Sequence, residues 1–177
     1  MVTRRGLLAS AALSLAGCAV GAVEAQEIDT SRADLPRVEI LTDTEVRTYL
    51  LVFHAGQELM KGLVGFAREH GVVTGHLTGI GALSDAVVGC FDPETKTYLR
   101  RRAEGQQELL SLTGNVARYG NGPMCHVHVA LGRGDGQAGG GHLFEATVRP
   151  TVELVLTTYA KAVRRQLDPA WGLPLLT

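Results

Sequence analysis

The stretch from Cys125 to Glu145 constrains this chain more than any other. It reads Cys-His-Val-His-Val-Ala-Leu-Gly-Arg-Gly-Asp-Gly-Gln-Ala-Gly-Gly-Gly-His-Leu-Phe-Glu and holds three of the six histidines. Side chains on an extended strand alternate between faces, so His126 and His128 point one way while Val127 and Val129 point the other. Glycine at 132, 134, 136, 139, 140 and 141 suits a tight reversal, after which a second strand beginning near His142 returns against the first. A third imidazole then converges on the first two.

Three neutral imidazoles from neighbouring strands suit a borderline-soft divalent metal such as zinc, with a fourth position left for a small-molecule ligand. The same letters fit a plainer pattern. His126 and His128 are equally at home on the wetter face of a half-buried strand, and His142 can simply follow a mobile loop; His-x-His alone is weak evidence of a site. Glu145, three residues beyond His142, falls on the opposite face of a regular strand and is a candidate nearby acid. Cys125 makes a poor co-ligand, because the neighbouring position on a strand faces away.

The first residues read as an export signal rather than a fold element. Arg4 and Arg5 followed by Leu7 and Leu8 resemble a twin-arginine leader, the type that carries folded proteins out of the bacterial cytoplasm, and the apolar run to Val23 is broken by Gly17 and Gly21. Two processing sites compete: cleavage after Ala25 in Val23-Glu24-Ala25, which this reading favours, or a lipobox at Leu15-Ala16-Gly17-Cys18 that would lipidate Cys18. The expected location is periplasmic or secreted, as a free protein or a lipoprotein. Expected boundaries are a signal at 1–25, a linker at 26–43, one domain at 44–160 and a tail at 161–177.

Without the signal, fifteen basic and seventeen acidic side chains remain, which is no electrostatic footprint for nucleic acid. The apolar content of 45% supports one domain with a substantial core, and 22 glycines point to many strands and turns. Cys90 and Cys125 are expected as free thiols. Strands are expected at 46–54, 72–80, 83–91, up to Leu99, 109–116, 124–131, 142–148 and 152–159, with one helix at 57–70. There Leu59, Leu63, Phe66 and Ala67 recur at helical spacing and Glu58, Lys61, Arg68 and Glu69 lie on the surface. Gly71 ends the helix and His70 closes it. His76 is weighed as a further member of the histidine site from across the sheet. In the tail, Trp171 reads as a packing anchor.

In order along the chain, Gly79-Ile80-Gly81-Ala82-Leu83, Phe91-Asp92-Pro93-Glu94-Thr95, Leu109-Leu110-Ser111-Leu112-Thr113-Gly114-Asn115, His126-Val127-His128-Val129 and Gly140-Gly141-His142-Leu143 resemble the PPC domain, the plants-and-prokaryotes conserved domain. The resemblance covers Glu45 to Tyr159. It implies an α+β single domain, one main helix packed on a largely antiparallel β-sheet, assembled as a homotrimer, with a candidate metal site at His126, His128 and His142. Bacterial members carry the label of predicted DNA-binding proteins. That label transfers poorly, because the plant relatives contact the minor groove through a separate Arg-Gly-Arg-Pro hook that this sequence lacks. Arg100-Arg101-Arg102 and Arg164-Arg165 read instead as solvated faces or salt-bridge partners.

Gly134-x-Gly136-x-x-Gly139 matches a dinucleotide fingerprint by letter, but a β-type run follows it where a helix should open. No nucleophile elbow is present, so catalysis stays open. The expected function is an exported trimer that binds a divalent metal. Its rivals are a DNA-binding protein and a non-catalytic scaffold.

Overall fold

Period-two alternation dominates the chain, and the fold follows from it. The computed structural model describes residues 46–177; the expected export signal with Arg4, Arg5, Cys18 and Ala25, and the expected linker at 26–43, lie outside the described residues. In order the elements are β1 (Val46–His54), α1 (Leu59–Glu69), β2 (Thr74–Asp92), β3 (Thr97–Tyr119), β4 (Gly122–Gly132), β5 (Ala138–Tyr159), β6 (Arg165–Asp168) and β7 (Leu173–Leu176). All strand pairing within the main sheet is antiparallel. Among the described residues, one helix and a mostly antiparallel sheet agree with the expected architecture, although the helix is a small part of it.

The strands run longer than the sequence suggests. The strands expected at 72–80 and 83–91 are one strand that begins at Thr74, because register shifts at Gly79/Gly81 and Leu83/Asp85 bend β2 without ending it. The charged run from Arg100 to Glu108 likewise continues β3, where it pairs with β2 through Arg100↔Gly89 and Ala103↔Ala86. The final two expected strands also merge into β5.

Four of these strands close on themselves. β2 pairs with β3 and with β5, β3 pairs with β4, and the first residues of β5 return to β4 through His128↔His142 to Gly132↔Ala138. β1 adds only to the later half of β5. Leu77, Leu83, Leu112, Val127, Leu143, Val148, Leu154 and Leu156 line the inside as the core.

α1 covers one opening of this arrangement with Leu59, Leu63 and Ala67. Burying the two leucines stabilises by roughly 4 kcal/mol, which an isolated helix this short lacks. Glu58 is not a surface residue of the helix but its N-cap. Its carboxylate accepts from the amides of Met60 and Lys61, and also from Ala146 N at 3.0 Å, fastening the helix to β5. His70 is the C-cap, as expected, and stacks on Phe66.

The tail forms its own hairpin, β6 with β7, against β3 of the same chain. The main chain is tied there by Arg118 N to Val163 O and by Thr74 Oγ1, which donates to Lys161 O and accepts from Val163 N. Trp171 sits at the hairpin turn, 45% exposed, with one edge-on contact to Phe91, and so anchors less than expected. Cys90 is exposed and Cys125 buried, both free thiols.

Candidate metal centre

The register of β4 and β5 creates the site. Val127 and Val129 go into the core, so His126 and His128 must face outward, and their Nε2 atoms lie 3.1 Å apart. His142 is the Cα partner of His128 across the β4–β5 ladder and of Gly89 across β2–β5. One nitrogen from each ring lies within 4.8 Å of the other two. Nitrogen donors around tetrahedral zinc are separated by about 3.4 Å.

Two glycines let the strands approach this closely. A Cβ on Gly140 would stand 2.0 Å from the Val129 carbonyl oxygen, and one on Gly141, whose φ is +149°, would stand 2.6 Å from that of Gly89. The glycines that the sequence assigns to a loop therefore do different work. The turn is only Arg133 to Gln137, while Gly139, Gly140 and Gly141 already belong to β5.

The surroundings of the rings are positive and partly dry. Burial, reinforced by His126, His128, Arg100 and Arg165, pushes the His142 imidazole down to about 4 from its ordinary 6.5. His126 is lowered too, by burial first and then by Arg165 and His128. Both rings are thus neutral near pH 7, the state in which imidazole donates to a metal. His142 Nδ1 is buried with no hydrogen-bond partner. An orphaned donor nitrogen beside two converging imidazoles fits a divalent ion better than it fits a satisfied structural cluster. Burial holds the Cys125 thiol at about 11, and Cys125 lies among the core residues, so it is no ligand.

Among the described residues the cluster is His126, His128 and His142 alone. Glu145 is not in it and lines a groove with Glu58, Lys61 and Arg68; a register shift opposite Val87 and Val88 breaks the alternation of β5, so Glu145 is exposed rather than on the inner face that a regular strand would give it. His76 is apart as well, exposed and 3.1 Å from the Tyr159 hydroxyl through Nδ1.

One neighbour was misread from sequence. Arg165 is buried at 7% exposure and, among the described residues, in no ion pair. Its Nη2 donates to Asn115 Oδ1 at 2.7 Å and lies 3.3 Å from His126 Nδ1, while Nη1 donates to Pro174 O. The signal that could have found it is the turn Asp168-Pro169-Ala170-Trp171-Gly172, where the Asp168 carboxylate accepts from two following amides and Gly172 takes φ +67°. That turn makes the tail a hairpin and brings Arg165 over β3. On the other side of His142, Tyr98 and Phe144 stand at ring distances of 5.0 and 4.8 Å, and the Arg100 guanidinium lies 3.9 Å over Phe144. Arg102 pairs with Asp85 through two contacts of 2.8 Å.

The family model of the Plants and Prokaryotes Conserved (PCC) domain matches residues 41–160. Solved structures agree. A metal-containing protein from Archaeoglobus fulgidus is 36% identical, covering 79% of this chain and 99% of its own, at a TM-score of 0.71. A plant- and prokaryote-conserved (PPC) protein from Pyrococcus horikoshii is 33% identical over 78% and 97%, at 0.72. A candidate DNA-binding protein from Bacteroides thetaiotaomicron is 31% identical over 73% and 91%, at 0.71. No protein of curated function matches the chain.

Proposed function

We propose that this chain, which belongs to the Plants and Prokaryotes Conserved domain family, is an exported, homotrimeric protein that binds a divalent metal, with zinc the best fit, through His126, His128 and His142. The observation that carries the reading is the convergence of one nitrogen from each of three imidazoles within 4.8 Å, on rings of which His142 also holds a buried Nδ1 without a partner. The Archaeoglobus relative, named for the metal it contains, supports the same reading. When bound, such an ion supplies a Lewis-acid position. The protein's own part is to hold the rings neutral and edge-on or tilted to one another, to wall His142 with Tyr98 and Phe144, and to set Arg165 beside His126.

The trimer is supported by an apolar face on the outside of the sheet. Leu50, Ile80, Leu110 and Val155 are 43 to 69% exposed and line one groove across β1, β5, β2 and β3. Leu50 pairs with Val155, Val155 with Thr78, Thr78 with Thr113 and Thr113 with His128, so the row leads directly to the histidines. A face of that kind on a stable protein marks an interaction surface.

Metal analysis of the full chain, purified without added metal, beside a His126→Ala/His128→Ala variant tests the reading. About one ion per chain in the wild type and none in the variant is expected; equal content in both would refute the site.

A further inference from the structure

We propose that the ligand taken by the histidine site is a small oxyanion, carboxylate or phosphate, whose negative charge is met by Arg165 and Arg100. This inference rests on the metal-binding reading above. Among the described residues Arg165 has no carboxylate partner, although it is 7% exposed. Its two outer nitrogens are committed to neutral acceptors, and its Nε is buried with no partner at all. An uncompensated cation in such a place is costly, and the cost is relieved only when a counter-charge arrives.

Among the described residues no carboxylate is paired with Arg165 or Arg100. The three imidazoles are neutral donors, Glu145 lies in the groove beside α1, and Asp85 is taken by Arg102. The guanidinium groups placed about the rings are positive: Arg165 Nη2 lies 3.3 Å from His126 Nδ1, and Arg100 lies 3.9 Å over Phe144, whose ring stands 4.8 Å from that of His142. A divalent ion held by the rings adds two further positive charges. An oxyanion is the chemical class that answers both, because one oxygen can face the ion while guanidinium N–H groups receive the rest of its charge. Amines and other cations are repelled by the same field. The ligand must be small, since Arg165 is buried under the β6–β7 hairpin and the aromatic rings of Tyr98 and Phe144 stand against His142.

The test is a titration of the cobalt-loaded full chain with succinate and, separately, with inorganic phosphate, followed by the visible absorption of the bound cobalt. Saturable spectral change with either anion is expected, and the anion that produces it assigns the ligand as a carboxylate or a phosphate. Arg165→Gln should weaken the apparent affinity by about ten- to a hundredfold, the value of one charge-assisted hydrogen bond, without loss of cobalt. Arg100→Gln, on exposed β3, should weaken it several-fold. If Arg165→Gln does not melt cooperatively, the wild-type titration and Arg100→Gln decide the matter. A chain that holds cobalt but responds to neither anion overturns the inference and leaves the metal reading standing. So does an affinity unchanged in both variants. A chain that holds no cobalt overturns the metal reading itself.

Discussion

Replacing Gly140 by alanine tests how closely the sheet must close around the histidines. The added Cβ would stand 2.0 Å from the Val129 carbonyl oxygen and 3.0 Å from its carbon. Carbon and oxygen come no closer than about 3.3 Å even in weak attractive contacts, so more than an ångström must be found by moving backbone. The obstacle is a carbonyl in a hydrogen-bonded ladder rather than the end of a flexible side chain. The cost should lie at the upper end of overpacking, about 3 kcal/mol, which for a domain of this size lowers Tm by roughly 10 °C. The Ala130↔Gly140 pair is two positions from His128↔His142, so the displacement reaches the site. Metal affinity should fall at least about tenfold, as it does when the supports of a metal ligand move. Gly139→Ala is the control: its Cβ meets nothing within 4 Å, and it should change stability by less than about 0.5 kcal/mol. Thermal unfolding and metal titration of the two variants read both effects. Equal melting temperatures would refute the argument from close approach.

Three further outcomes follow from the same geometry. In the chelator-treated chain, His142 stays neutral down to about pH 4 while the unfolded chain takes up that proton near 6.5, so stability is unaffected above 6.5, falls as pH drops toward 4, and is flat below. With the ring only half-buried, screening reduces the loss to about 1–2 kcal/mol, and His142→Phe should remove that acid slope in urea titrations; an unchanged slope would contradict the assignment. Glu58→Ala removes the acceptor for three backbone amides and should cost about 2 kcal/mol by chemical denaturation, whereas a loss under about 0.5 kcal/mol would show that the cap does not fasten α1. Leu50→Glu with Ile80→Glu places charge on the exposed apolar row; on the proposed trimer, light scattering should give a trimer mass for the wild type and a monomer mass for the variant, and an equal mass for both would move the interface elsewhere.

Much of the site was legible because its logic is local. The alternation His126-Val127-His128-Val129 decides which side chains share a face wherever the strand is placed, and the core position of both valines agrees with it. β1 matches its expected span of Val46 to His54, and the helix differs from expectation by two residues at its start and one at its end. The strand boundaries in the middle of the chain were not legible in the same way. Gly81 and the charged run after Leu99 look like interruptions, but a bulged strand carries a glycine, and a strand with one solvated face carries arginines and glutamates. Glu145 was misplaced for a related reason, since a single register shift cancels the parity on which the expectation stood.

By itself the sequence determined the strand periodicity, the single helix, the outward histidine pair and the family motifs, all of which are written in spacings of a few residues. Only tertiary structure decided that Gly140 and Gly141 sit inside a strand against Val129 and Gly89, and that Arg165 lies buried beside His126. The reason is physical: side-chain parity is a property of one strand, whereas the partner across a ladder, and the charge that packs over it, depend on segments far apart in the chain whose pairing no local spacing records.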